Sequence, residues 1–140
     1  VISQYKASIA FPQTLEANLP VATANGSGFI CFSPLAQGLL TNRYLNGIPA
    51  GSRASKNVFW HPEQVTPEAV ARAQQLGAIA AERGQTLAQM AVAWLLSKDV
   101  TSVLVGASSV AQLDDNLHAI DNIAFTADEL QRIEQIMQNQ

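Results

Sequence analysis

The spacing of apolar residues changes along this chain, and the changes mark out its elements. From Gly28 to Ser33 the run Phe29-Ile30-Cys31-Phe32 is apolar without alternation, as expected for a parallel strand covered on both faces. Ser102-Val103-Leu104-Val105-Gly106 reads as a second short buried strand. Elsewhere the apolar period is helical. Ala69, Ala73, Leu76 and Ala80 form one stripe. It starts behind Thr66-Pro67-Glu68, which offers a hydroxyl cap, a proline in the first turn and an acid near the positive helix end. It stops at Arg83-Gly84, with glycine placed for a left-handed cap. Leu87, Ala91, Trp94 and Leu95 form the next stripe, and Thr86 and Gln89 have capping-box spacing. Val110, Leu113, Leu117 and Ile120 predict the inner face of a third helix, with Ser109 and Gln112 at the same spacing. Thr126 and Glu129 repeat the device for a last helix that turns Leu130, Ile133 and Met137 inward.

The first 25 residues carry a weaker pattern. Val1-Ile2 fits the end of a strand, Pro12 and Pro20 limit any helix to a short turn from Gln13 to Leu19, and Asn25-Gly26 is a turn signal. Pro34 to Ser55 is a long loop rich in Gly, Asn, Pro and Ser, with room for a helical turn from Gly38 to Tyr44. Long loops in compact domains usually serve function. The order strand, long loop, two helices, strand, helix, helix predicts α/β architecture with a parallel sheet. Two strands do not make a stable sheet. Either the first 25 residues add a strand, or missing chain or a partner completes the sheet.

Composition narrows the function classes. A chain of 140 residues, 48% hydrophobic and 14% charged, holds one globular unit, a single partial domain over 1–140. A net charge of −3 argues against nucleic acid or an anionic membrane surface as partner. No apolar run reaches the roughly 20 residues of a membrane span. The N-terminus shows no signal-peptide layout, and the absence of an initiator Met at Val1 points to a fragment or a processed chain. Cys31 is the one cysteine. It excludes an internal disulfide, fits a cytoplasmic setting, and reads as a small buried hydrophobe. His61 and His118 stand apart from each other and from any cysteine, so they suggest no metal site. Trp94 sits at a core spacing, whereas Trp60, in a loop, suits either packing or a substrate mouth.

Parallel α/β folds bind ligands at the carboxyl ends of their strands. Two segments leave such ends here. One is Phe32-Ser33-Pro34-Leu35-Ala36-Gln37-Gly38-Leu39-Leu40; the other is Gly106-Ala107-Ser108-Ser109, which opens a helix. Small residues, free N–H groups and hydroxyls at a helix start suit a phosphate, although capping alone also explains serine there.

These segments resemble the aldo-keto reductases. Ser33-Pro34-Leu35-Ala36-Gln37-Gly38-Leu39-Leu40-Thr41, followed by Tyr44 and Gly47-Ile48-Pro49, is similar to the loop after that family's seventh barrel strand. Gln89-Met90-Ala91-Val92-Ala93-Trp94-Leu95-Leu96 resembles its penultimate core helix. Val105-Gly106-Ala107-Ser108, with Gln112-Leu113 and Asn116, resembles its last strand and cofactor-binding helix. The closest likeness is to the branch with potassium-channel β subunits and bacterial glyceraldehyde-3-phosphate reductases. It spans residues 26–136 and leaves 1–25 poorly matched.

The resemblance implies the C-terminal portion of a (β/α)8 TIM barrel and NADP as cofactor. Carried over residue by residue, it places Phe32, Ser33, Pro34, Leu35, Ala36 and Gln37 along the pyrophosphate and nicotinamide. Arg43 and Arg53 fall near the phosphates, and Gly106, Ser108, Gln112, Asp115 and Asn116 at the adenosine end. Many members have arginine where Gln112 stands, which bears on NADP against NAD. The family's catalytic tyrosine, lysine, aspartate and histidine belong to the N-terminal half of its fold. None maps here, since the tyrosines are Tyr5 and Tyr44 and Tyr44 belongs to the loop motif. The implied function is the cofactor-binding part of an NADP-dependent reductase of small aldehydes or ketones, working with the missing barrel half or as a homo-oligomer. The rival is a catalytically silent nucleotide-binding or self-associating module whose open strand edges are covered by another copy.

Overall fold

The computed structural model describes residues 1–41, the side chain of Gln37 excepted, and 65–138. Three parallel strands lie side by side in chain order: β1 (Ile2–Lys6), β2 (Gly28–Phe32) and β3 (Ser102–Val103). Helix α1 (Gln13–Ala24) joins the first two. After β2 come a 3-10 turn (Ala36–Gly38), then α2 (Pro67–Glu82) and α3 (Leu87–Leu96). After β3 come α4 (Val110–Leu117), a 3-10 turn (His118–Asp121) and α5 (Ala127–Gln138).

The N-terminal segment therefore supplies the third strand. β1 pairs with β2 from Ile2 opposite Gly28 to Lys6 opposite Phe32, and Tyr5 stacks on Phe29 with ring centroids 5.1 Å apart. The expected short turn is instead a 12-residue helix with Pro20 inside it. Proline there removes a bond to the Glu16 carbonyl. Both residues are exposed, so water can serve that oxygen. Leu15 and Ala22 anchor the other side in the core.

Local sequence and packing agree in α2 and α3. Thr66 caps α2 by accepting from the Ala69 N–H, and Gly84, at φ 70°, follows its last turn. Thr86 and Gln89 form the complete capping box of α3. Ala73, Leu76, Ile79, Leu87, Met90 and Leu95 pack with Phe29 and Cys31 into one core. Arg83, its side chain 2% exposed, ties the α2–α3 turn to the stretch before α5. Its guanidinium donates to the carbonyls of Asn122 and Ala124 and to Glu129, and lies 3.6 Å from the Phe125 ring centroid.

Four expectations need correction. The strands are covered on one face only. Phe29 and Cys31 are buried against helices, while Ile2, Phe32 and Leu104 are exposed, and no described element covers the face that β2 presents through Ile30 and Phe32. β3 is two residues long rather than five, although Leu104 N–H still donates to the Cys31 carbonyl at 2.8 Å. The turn expected at Gly38 to Tyr44 starts earlier, at Ala36. Finally, the stripe of α4 does not face the core. Val110, Leu113, Leu117 and Ile120 are exposed, and the buried residues of this stretch are Asn116 and Ala119. In α5, by contrast, Ile133 is buried and Leu130 and Met137 pack against the core.

Candidate functional site

The site is positioned by β2 and β3 being parallel neighbours. Ile30 pairs with Ser102 and Cys31 with Val103, and continuing that register sets Ser33 level with Val105. Adjacent strands lie about 4.8 Å apart, so the turn leaving Ser33 and the turn through Gly106 emerge on one rim. β1 ends there too, bringing Lys6 level with Phe32. The weak pattern at the N-terminus gave no signal for that cation, whose ammonium lies 4.2 Å from the Phe11 ring centroid.

The turn after β2 is held in an unusual backbone conformation. Ser33 and Ala36 have φ of 57° and 48°, a left-handed region that costs a non-glycine residue roughly 1–2 kcal/mol. Ala36 N–H donates to the Ser33 carbonyl, Gly38 and Leu40 N–H donate to the Leu35 carbonyl, and Leu40 is buried in the core. Strain held this firmly is typical of functional turns. Pro34 and Ala36 have buried side chains, so they can offer a ligand only their backbone. Ser33 and Leu35 are half-buried, and Phe32 is exposed on the open sheet face.

On the β3 side, Gly106 has no positive φ and no atom within 4 Å of where a Cβ would sit. The chain itself does not require glycine there. Beyond it, Ser109 caps α4 by accepting from the Gln112 N–H at 3.1 Å. The capping box expected of this pair is displaced by one residue. Gln112 Oε1 accepts from the Ser108 N–H at 2.6 Å and from Ser108 Oγ at 2.9 Å, so a glutamine oxygen takes donors that would suit an anion.

Further along α4, Asp115 is exposed and Asn116 is 4% exposed. The Asn116 Nδ2 is buried without a hydrogen-bond partner among the described residues. Gln89 Nε2 donates to both the Asp115 carbonyl and its Oδ1, each at 2.9 Å. The structure thus assembles Ser33, Gly106, Ser108, Gln112, Asp115 and Asn116 on one strand-end rim and the helix behind it. Arg43, Tyr44, Arg53, Trp60 and His61 lie outside the described residues.

Other candidates gain no chemistry. Cys31 is fully buried, and burial pushes its thiol up to about 11. His118 pairs with Asp121, and that hydrogen bond and charge raise its pKa. No group of His, Cys, Asp and Glu able to hold a metal occurs among the described residues. No described helix is long and apolar enough to cross a membrane.

Comparison with known proteins agrees with this architecture. A model described as the aldo/keto reductase family matches residues 1–138, the first strand and helix included. The chain is 47% identical over 116 residues to an Escherichia coli K12 protein named L-glyceraldehyde 3-phosphate reductase, covering 79% of this chain and 34% of that protein. It is 37% identical over 126 residues to a probable voltage-gated potassium channel subunit beta of Arabidopsis thaliana, covering 86% and 38%. Among solved structures, a holo-form aldo-keto reductase from Bacillus halodurans superposes with TM-score 0.70 at 25% identity, covering 97% of this chain and 42% of that one. A glycerol dehydrogenase from Gluconobacter oxydans shares the fold with TM-score 0.77 at 20% identity, over 97% and 42%. The chain spans between a third and two fifths of the length of the curated relatives described. Matched from its first strand to its last helix, the chain belongs to the aldo/keto reductase family, and its three parallel strands are the C-terminal portion of that family's α/β barrel.

Proposed function

We propose that this chain is the cofactor-binding part of a cytoplasmic, NADP-dependent reductase that converts small aldehydes or ketones to alcohols. The observation that carries this is the parallel pairing of β2 and β3, which sets the strained Ser33 turn beside the Gly106–Ser109 turn at the start of α4. Parallel α/β sheets place dinucleotides at such strand ends, with phosphate at a helix N-terminus.

The residues present fit the group. Gly106 leaves open room where a side chain would obstruct a close approach. The orphaned Asn116 amide is a buried donor whose desolvation is uncompensated. In this reading Ser108 supplies an N–H and a hydroxyl to a phosphate oxygen once Gln112 swings away, and Asp115 and Asn116 meet the adenosine end. The backbone from Ser33 to Gln37 lines the pyrophosphate and nicotinamide, and Arg43 and Arg53 add charge beside the phosphates. When bound, the nicotinamide supplies the hydride. The protein's part in this segment is to hold and orient the dinucleotide, while the proton donor comes from another part of the barrel. The relative named for L-glyceraldehyde 3-phosphate reduction supports a small aldehyde as substrate.

A second reading, a nucleotide-binding or self-associating module without turnover, is favoured by the exposed apolar residues Ile2, Phe32 and Leu104. Fluorescence titration of the full-length protein with NADPH, alongside carbonyl-dependent NADPH oxidation, separates the two. Ser108→Ala and Gly106→Ala are expected to weaken NADPH binding without loss of folding. Tight binding without turnover on any small carbonyl would favour the second reading. Unchanged binding in both variants would remove the proposed site.

A further inference from the structure

We propose that Gln89, one helix away from the cofactor site, is a positioning residue for its adenosine end; this rests on the cofactor reading above. In a capping box, the residue three positions into the helix returns a side-chain oxygen to the N-cap N–H, and glutamate or glutamine does this equally well in outline. Glutamate has the added advantage of a negative charge at the positive end of the helix. This chain uses glutamate at its other complete box, where Glu129 Oε1 accepts from the Thr126 N–H at 2.8 Å and Thr126 Oγ1 accepts from the Glu129 N–H at 3.1 Å. At α3 it uses glutamine, and the structure shows a reason. Gln89 Oε1 accepts from the Thr86 N–H at 3.0 Å, closing the cap. Its Nε2 is left to donate to the Asp115 carbonyl and Oδ1. A carboxylate at position 89 could make the first bond and not the other two.

One amide thus locks the register of α4 against the start of α3. It fixes the backbone at Asp115 and the orientation of its carboxylate, one residue before the orphaned Asn116. Only one oxygen of Asp115 is engaged by Gln89, and the other remains as an acceptor for a donor on the adenosine end. A neutral amide holds Asp115 without neutralising it, as a lysine or arginine in the same place would.

The test uses the full-length protein, titrated with 2′,5′-ADP and with nicotinamide mononucleotide, together with steady-state kinetics and thermal melts. Gln89→Glu keeps the cap and sets a carboxylate against Asp115. The melting temperature is expected to stay near that of the parent. Affinity for 2′,5′-ADP and the KM for NADPH should weaken about fivefold, the worth of about one hydrogen bond. The affinity for nicotinamide mononucleotide and kcat should be unchanged. Thr86→Ala should do the reverse, lowering the melting temperature and leaving 2′,5′-ADP affinity intact. Should Gln89→Glu fail to accumulate, Gln89→Ala must still lose 2′,5′-ADP affinity that Thr86→Ala retains. Parent-like affinity in the position 89 variants overturns the inference. So do equal affinity losses in the position 89 and Thr86 variants, which would mark a merely structural role. A parent protein that binds NADPH by neither titration nor turnover overturns the cofactor reading itself, and this inference with it.

Discussion

Arg83→Ala is expected to be strongly destabilising. The guanidinium is almost wholly enclosed and makes four bonds: to Gln85 Oε1 at 2.9 Å, the Ala124 carbonyl at 2.8 Å, the Asn122 carbonyl at 2.8 Å and Glu129 Oε1 at 3.1 Å. Truncation leaves those partners unequally. The Asn122 carbonyl keeps a donor in Gln85 Nε2, and Glu129 keeps the Thr126 N–H. The Ala124 carbonyl loses its guanidinium donor, and the Phe125 ring loses its cover. Breaking a fully buried ion pair costs about 3–5 kcal/mol. The surviving partners, and a Glu129 side chain 17% exposed, place this case near the lower end, about 3 kcal/mol. Arg83→Lys should recover little, because an ammonium cannot serve four acceptors in the plane of the guanidinium fork. Urea unfolding of the full-length protein followed by circular dichroism measures both. Native-state hydrogen exchange should show loss of protection concentrated in α5. If Arg83→Lys lies within about 0.5 kcal/mol of the parent, which is the scatter of ordinary surface substitutions, the fork geometry is not what holds this junction.

Gly84 has φ 70° with no atom near a would-be Cβ, so Gly84→Ala should cost roughly 1 kcal/mol of pure backbone strain, read from the urea midpoint; a neutral effect would contradict the left-handed cap. Glu129 has its pKa lowered, first by the Thr126 backbone N–H and then by Arg83. Its stabilisation is therefore complete above the unfolded value near 4.5 and is lost as pH falls through the lower folded value. Glu129→Gln should flatten the dependence of stability on pH below 4.5, and an unchanged acid limb would refute the assignment. Cys31, pushed up to about 11 by burial, exposes only about one thiolate in a thousand at pH 8; a thiol reagent should label it on unfolding and not before.

What could be read from the sequence was mostly what is decided within a few residues. The caps at Thr66, Thr86 and Thr126 form as their spacing indicates, because hydroxyl and backbone N–H lie within three positions of each other. α1 was hidden because Pro20 lowers local propensity, and only the packing of Leu15 and Ala22 outweighs it. That the turns after β2 and β3 leave the sheet on one rim was legible from element order alone, since parallel strands joined by helices must end on one rim. The Gln89 bridge was not. Its partner lies 26 positions away, and the capping box accounts for the glutamine so fully that nothing in the sequence asks for a second role.

The misreading of α4 has a more general cause. A helical apolar period identifies which face of a helix is apolar, and says nothing about which chain segment covers it. On α2 and α3 the covering elements are described, and the stripes are buried. On α4 the apolar face carries Val110, Leu113, Leu117 and Ile120 into the open, while the side toward α3 buries a polar residue, Asn116. The same inversion occurs in the sheet, where Phe32 and Leu104 are exposed on the face opposite Phe29 and Cys31. In a closed barrel the open side of a strand is filled by layers of inward-pointing side chains from the other strands. The four-residue apolar run of β2 thus signals cover on both faces, as in a barrel strand, whereas residues 1–41 and 65–138 supply cover on one face only. Ser33 and Gly106 follow these strands out on one rim, at the edge between the covered and the open face. That rim is tied to the helix-packed face through Cys31, whose carbonyl anchors Leu104, while Phe32 stays exposed on the opposite face.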